Sequence, residues 1–220
     1  MKPQQIYLTI DDSPSQNTTK MVTYLRENSI PAIFFCRGEF IQNRMDEVQF
    51  IIKNGYLVGN HSYTHPYFST ISLEQCFDEI VKTDLLIEQC YQHVNVKRPV
   101  KIIRLPFADR GAGKWAQSPS TEQEKEKVNT IQKFLRDNNF ESLFDSEGAI
   151  DAYWDWDTQD YKSRFISSPT EYLLNLEKQW SGIDSDCAVM LIHDFDNNYP
   201  LFQATMRFLK QNHMVIREIL

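Results

Sequence analysis

The chain has 220 residues, 41% of them hydrophobic and 24% charged. That make-up is the one expected of a globular protein with a sizeable core, and it excludes a disordered or fibrous chain. Thirty acidic side chains against 23 basic ones leave a net charge of −7, which argues against a general binder of nucleic acid or anionic membranes, since either needs a basic field.

In chain order, short runs rich in Ile, Val, Phe and Tyr predict strands over about 5–11, 31–36, 56–61, 100–104, 149–156, 187–193 and 213–219. The amphipathic stretches between them predict helices over about 17–28, 39–54, 72–93, 121–138, 168–180 and 199–212. Ser72 with Gln75, Ser120 with Gln123 and Ser168 with Glu171 have capping-box spacing. Pro169 follows Ser168 at a first helical position, where its missing N–H costs nothing. Such alternation implies parallel βα units with right-handed crossovers, in an open doubly wound sheet or a closed barrel. Periodicity does not choose between the two. In both, a ligand site belongs at the C-terminal ends of the strands.

No internal repeat or domain boundary is apparent, so residues 1–220 are expected to form a single domain. The segment of about 108–148 is long for a βα connection, which usually takes ~2–6 residues before its helix. It is expected to form an extended rim loop and helix, a position from which loops select substrate. Its Gly111-Ala112-Gly113-Lys114 fragment is not a phosphate-binding loop, because Trp115 stands where Ser or Thr is needed and the leading glycine is missing.

No apolar run approaches the ~20 residues of a membrane helix. The first predicted strand starts almost at Met1 and leaves no room for a signal peptide, so the cytosol is the expected location, with a secreted form trimmed of its signal as the alternative. Cys36, Cys76, Cys90 and Cys187 form no C-x-x-C pair. Cys76 and Cys90 fall on one predicted helix, ~21 Å apart at ~1.5 Å per residue, too far for a disulfide. Reduced thiols, as in a reducing compartment, are expected.

The polar residues of interest fall at predicted strand ends. Neighbours on a strand point to opposite faces, so Asp11 and Asp12 serve one site only where the strand ends and the chain turns, and Ser13-Pro14 supplies a turn. A plain helix-capping turn is the alternative. His61 and His65 are four apart, but a strand precedes them and Pro66 follows, which favours a compact turn. By themselves they are equally metal ligands or a structural pair. Arg104 reads as an arginine ending a strand in an ion pair, Trp154 and Trp156 as core, and His93 and His213 as structural. Asp194 and Asp196 carry no assignable role.

Five segments in this order, Thr9-Ile10-Asp11-Asp12, His61-Ser62-Tyr63-Thr64-His65, Arg104-Leu105-Pro106-Phe107, Trp154 to Tyr161, and Leu191-Ile192-His193-Asp194, resemble the polysaccharide deacetylases, the NodB-homology family of carbohydrate esterases. The resemblance spans about residues 5 to 219. Ile10, Ser13 and Tyr161 depart from the family's Phe, Gly and Trp.

By that resemblance the fold is a distorted (β/α)7 barrel of parallel strands. Asp12, His61 and His65 hold a divalent metal, with zinc the default for such a donor set and nickel or cobalt as alternatives. Asp11 is the general base, oriented by Arg104. Phe107 offers a backbone N–H to the oxyanion. Asp160 raises the pKa of His193, the general acid. Leu191 lines an acetyl pocket and Tyr161 walls the groove. The implied activity is metal-dependent removal of an N-acetyl group from an amino sugar, with an N-acetylated carbohydrate as substrate. Hydrolysis of another non-peptide C–N bond, as by a deformylase or small-amide hydrolase, stands beside it. So do a non-catalytic glycan-binding module and a metal-binding structural protein. Oligomeric state has no reading here.

Overall fold

The structure is a computed structural model that describes residues 3–144 and 148–218. Part of the expected 108–148 segment and the end of the expected 213–219 strand lie outside the described residues. The elements, in order, are β1 (Gln5–Ser13), α1 (Thr18–Glu27), β2 (Ile33–Cys36), α2 (Gly38–Asn43), α3 (Met45–Lys53), β3 (Leu57–Asn60), α4 (Leu73–His93), α5 (Glu122–Asp137), β4 (Trp156–Asp157), α6 (Ser163–Ser167), α7 (Pro169–Gly182), β5 (Cys187–His193), α8 (Tyr199–Gln211) and β6 (Val215–Ile216).

All the strand pairings are parallel, in the order β3-β2-β1-β5-β4, with β6 beside the start of β1. Residues 100–104 and 149–155, expected as strands, are instead irregular. Asn60 still bridges to Ile103, and Ala152 N–H donates to the Ile103 carbonyl at 2.8 Å, so the ring closes from β3 back to β4. The fold is therefore a distorted parallel α/β barrel. The irregularity has an identifiable cause. The carbonyls of Ala152 and Tyr153 accept from the Arg104 guanidinium at 3.4 and 3.1 Å, and the Asp155 carboxylate accepts from Val189 N–H at 2.8 Å. Side chains have taken over bonds that a strand ladder would otherwise make.

The period-two alternation of a strand divides β1 cleanly. Ile6, Leu8 and Ile10 are fully buried in the layer between sheet and helices, with Met190 and Ile192 of β5, Phe34 of β2 and the inner faces of α1 and α8. Tyr7, with Val189 and Leu191 of β5, packs in a separate cluster inside the ring. Asp11 and His193 continue the inward parity at the C-terminal ends.

The expected helix over 39–54 is two, α2 and α3, parted at Arg44, whose φ of −142° is not helical. Asp46 and Glu47 in the first turn of α3 suit the restart. The Ser72–Gln75 capping box is present. The second box is formed by Thr121 and Glu124, one residue beyond the expected Ser120–Gln123. Ser168 makes no side-chain cap; its backbone N–H donates to the Arg164 and Phe165 carbonyls at the end of α6. Cys76 and Cys90 share α4, and all four cysteines are free. No helix among the described residues is long and apolar enough to cross a membrane.

Gly59 lets β3 pass close behind the site. A Cβ there would lie 2.6 Å from the Phe35 ring and 3.0 Å from Ile102. Gly59→Ala is expected to lower unfolding free energy by about 1–3 kcal/mol through overpacking, read as a reduced urea midpoint.

Candidate active site

The β1 strand does not stop at Asp11. Its pairing with β2 slips between Ile10 and Ser13, and Asp12 takes a left-handed φ of 62°. That bulge, rather than the Ser13-Pro14 turn expected from sequence, brings both carboxylates to one side. Ser62 and His65 also have positive φ, 61° and 64°, so the His61–His65 segment curls back on itself as a compact turn. The Asn60 side chain supports it by accepting from Ser62 N–H at 2.8 Å.

Three donor atoms converge there. His61 Nε2 and His65 Nε2 are 3.2 Å apart, and Asp12 Oδ1 lies 3.9 and 3.7 Å from them. Donors around a tetrahedral ion with ~2.0–2.1 Å bonds would sit about 3.4 Å apart, so the group fits a divalent cation. His61 Nδ1 donates to the Arg104 carbonyl at 2.7 Å, which leaves a lone pair on Nε2 facing the centre. Asp12 Oδ1 is buried with no hydrogen-bond partner. Burial pushes the Asp12 carboxyl up to about 6, with Asp11 and Asp160 adding to it against His193 and Arg37. Burial also holds His61 down to about 3 and His65, with the help of His61 and Arg37, down to about 2. Neutral imidazoles and an orphaned carboxylate oxygen are what a cation site offers before the ion arrives.

Beside this group, Asp11 Oδ2 faces His61 Nε2 at 3.5 Å. Its Oδ1 accepts from Arg104 Nη1 at 2.8 Å. Arg104 is fully buried, donates also to Thr9 Oγ1, and lies over the Phe35 ring at 4.4 Å. On the other side, His193 Nδ1 meets Asp160 Oδ1 at 2.7 Å, and His193 N–H donates to Oδ2 of the same carboxylate. Burial opposes a charged His193, but the Asp160 charge and hydrogen bond, with Asp12 and Asp11, lift it to about 9.

A cleft of about 460 Å³ joins these parts and is lined also by Tyr67, Phe107, Tyr161, Leu191 and Trp154. The Phe107 ring packs on His65 and stacks on Tyr67, and Tyr161 meets His193 edge-on. The structure thus brings together all ten residues expected from sequence. Trp156 is core, as expected, whereas Trp154 also reaches the cleft. Sequence reasoning missed four groups. Arg37 stands 3.7 Å from Asp12 Oδ1 and lines the cleft, as does Asp157. Asn198 donates to Asp160 Oδ2 at 3.0 Å and to the His193 carbonyl at 2.7 Å. Asp194 accepts from the hydroxyls of Ser13, Ser15 and Thr18. Asp157 and Asp194 lay inside the segments singled out from sequence but without an assigned role, and Asn198 carried the signal of a cap position before Tyr199-Pro200.

A family model described as polysaccharide deacetylase matches residues 1–134, more than half of the chain. The chain belongs to the polysaccharide deacetylase family. It is 28% identical over 115 residues to the peptidoglycan-N-acetylglucosamine deacetylase of Bacillus cereus, covering 51% of this chain and 40% of that protein. It is 34% identical over 91 residues to the chitooligosaccharide deacetylase of Rhizobium leguminosarum bv. trifolii, covering 40% and 42%. These matches span less than half the length of either curated relative. Among solved structures, the catalytic domain of a peptidoglycan N-acetylglucosamine deacetylase from Eubacterium rectale superposes with a TM-score of 0.70 at 19% identity, over 99% of this chain and 89% of that one. In this chain the three potential metal donors, Asp12, His61 and His65, lie at or just beyond the C-terminal ends of β1 and β3.

The raised His193 value has a direct check. NMR titration of the chelator-treated protein is expected to show one imidazole titrating near 9, absent in His193→Gln and lowered by roughly one unit or more in Asp160→Asn. Because the folded value lies above the ordinary 6.5, the associated stability is fully present below about pH 6.5 and lost as pH rises through about 9.

Proposed function

We propose that this chain is a metal-dependent carbohydrate N-deacetylase, a hydrolase that removes the N-acetyl group of an amino sugar in an oligo- or polysaccharide or glycoconjugate. One observation carries the reading: three converging donors with an orphaned carboxylate oxygen stand between a base held by a buried arginine and a histidine held protonated by a buried aspartate.

Asp12, His61 and His65 would hold the ion, zinc in the first instance, with nickel or cobalt able to occupy the same donors. Bound there, a divalent cation makes a water more acidic and polarises the amide carbonyl. Asp11 takes the water's proton on Oδ2, while Arg104 fixes the carboxylate through Oδ1. The oxygen attacks the amide carbon, and the Phe107 backbone N–H donates to the carbonyl oxygen as it gains charge. His193 then gives its Nε2 proton to the nitrogen as the C–N bond breaks, releasing acetate and a free amine. Asp160 and Asn198 keep that imidazole charged and oriented. Leu191, beneath Trp154, takes the acetyl methyl, and Tyr161 walls the groove beside His193. A non-catalytic glycan binder has no need of base, ligands and acid together. Residues 1–220 act as one domain in this reading, with the 108–148 segment on the rim. Four free thiols, three of them buried, support a reducing compartment such as the cytosol.

Protein purified without an affinity tag is expected to carry about one zinc, nickel or cobalt per chain by elemental analysis, largely lost in His65→Ala. No uptake by the chelator-stripped protein, even with these ions added, would overturn the mechanism. Asp11→Asn is expected to keep the metal and lose roughly 10²–10⁴-fold in kcat for acetate release from an N-acetyl sugar. The wild-type rate is expected to fall as pH rises through about 9, where His193 gives up its acid proton.

A further inference from the structure

The turn from His61 to His65 has no ladder of its own. Ser62 and His65 are left-handed, so neither strand nor helix pairing reaches the peptide groups between the two imidazoles. Those groups are paired all the same. Ser62 N–H donates to Asn60 Oδ1 at 2.8 Å and His65 N–H to Ser62 Oγ at 3.1 Å. The Ser62 and Tyr63 carbonyls accept from Gly38 N–H and Glu39 N–H, at the start of α2, at 2.9 and 3.1 Å. The Thr64 carbonyl accepts from Arg37 Nη2 at 3.3 Å. Two donors are left, the N–H groups of Tyr63 and Thr64, and they converge on one oxygen, Glu79 Oε2, at 2.8 and 2.7 Å. The other oxygen of Glu79 accepts from the Thr64 hydroxyl at 2.8 Å.

Glu79 projects from α4, which also anchors Asn60, whose Nδ2 donates to the Ile80 carbonyl at 2.8 Å. The turn is therefore held between α2 and α4, and without slack. A Cβ on Gly38 would fall 2.4 Å from the Tyr63 ring and 2.4 Å from Thr83 Oγ1. Successive amides turned to one side by a left-handed residue form a concavity of positive character that takes an anion. Here the anion belongs to the chain itself. Bonds from N–H to a carboxylate are about twice as strong as those to a neutral acceptor. Other acids of α4 meet cations: Asp78 faces Lys82, and Asp84 binds Arg98 and Lys101. Glu79 makes no ion pair among the described residues, so the donors of the turn alone answer its charge.

His65 depends on this clamp more than His61 does. The His61 ring is oriented by its own Nδ1 bond to the Arg104 carbonyl at 2.7 Å. Among the described residues the His65 ring hydrogen-bonds only with His61, Nε2 to Nε2 at 3.2 Å, and otherwise packs on Phe107. Its place 3.7 Å from Asp12 Oδ1 is thus set by the backbone beneath it. Glu79 does not line the cleft and reaches the donors only through that backbone.

We propose that Glu79 is the positioning residue of the metal turn: its carboxylate binds the Tyr63 and Thr64 amides and so keeps His65 in ligand range of the centre shared with His61 and Asp12. This rests on the reading of those three residues as metal ligands. It adds a residue outside the cleft that sets how tightly they hold the ion, because a histidine ligand is only as well placed as the groups that fix it.

Two measurements test it. The first is the zinc dissociation constant of the folded protein, by competition with a chromophoric chelator. Glu79→Ala is expected to raise it about 10–100-fold. Glu79→Gln should restore most of the affinity, since an amide oxygen still accepts from both N–H groups. Asp84→Ala, on the same helix, breaks the ion pairs with Arg98 and Lys101 and is expected to lower the urea midpoint without moving the zinc constant. Equal zinc affinity in Glu79→Ala and wild type would overturn the proposal, and so would an equal loss in Asp84→Ala, which would mark general loosening of α4. The second is amide hydrogen exchange by NMR on the chelator-stripped protein. In Glu79→Ala, exchange is expected to quicken about tenfold or more at Ser62 and His65 as well as at Tyr63 and Thr64. Unchanged exchange at Ser62 and His65 would again overturn it. Failure of the wild-type protein to take up zinc, nickel or cobalt would overturn the metal-dependent reading, while exchange would still decide whether Glu79 holds the turn.

Discussion

The parallel pairing of β1 with β5 is the constraint on which the site depends. In that ladder Asp11 lies directly across from His193. The same register sends Ile6, Leu8 and Ile10, with Met190 and Ile192, outward into the helix layer, and turns the alternate residues inward. A slip of one residue would put the carboxylate and the imidazole into the apolar layer and the aliphatic side chains into the cleft, so hydrophobic burial itself enforces the pairing of proposed base and acid. Beyond the last rung, Asp194 N–H donates to the Asp11 carbonyl, and the Asp194 carboxylate gathers Ser13, Ser15 and Thr18. The two strand ends are thereby tied as one unit.

Arg104 sits at the centre of this arrangement. A fully buried guanidinium is tolerated only when its donors are satisfied. Here Thr9, Asp11 and the carbonyls of residues 152 and 153 do that, with Phe35 beneath the cation. Meeting those donors draws backbone acceptors out of the sheet, and the barrel is irregular on that side. The site therefore shapes the fold as much as the fold shapes the site. The left-handed residues Asp12, Ser62, His65 and Phe107 belong to the same exchange, since each turns a side chain or peptide toward the cleft at a cost that the surrounding bonds cover.

Histidines of one cleft are driven in opposite directions. His61 and His65 are held neutral by burial among cationic neighbours, while His193 is held charged by Asp160 and the two carboxylates of β1. The first condition suits lone-pair donation to a cation and the second suits proton donation to a leaving group. Environment, rather than residue type, separates the proposed roles.

Much of this was legible in the sequence because it depends on local order. The strand–helix alternation, the Ser72 capping box and the five polar segments at predicted strand ends all follow from spacing along the chain. Of the ten residues singled out from those segments, eight line one cleft, and Arg104 and Asp160 are buried against Asp11 and His193. What the sequence left open depends on contacts across it. Two runs with strand-like composition, 100–104 and 149–156, lost most of their ladder to the buried Arg104, and composition carries no record of that competition. The bulge that turns Asp11 and Asp12 to one side arises from a register shift against β2, which no window on β1 reveals. Asp194, Asn198, Arg37 and Trp115 are ordinary polar or aromatic residues until chain closure brings Ser13, Asp160, Asp12 and Trp154 beside them. Periodicity and residue chemistry, being local, determined the class of fold and the chemical inventory. Register, burial and long-range side-chain bonding exist only once the barrel closes, and they decided the geometry in which that inventory meets.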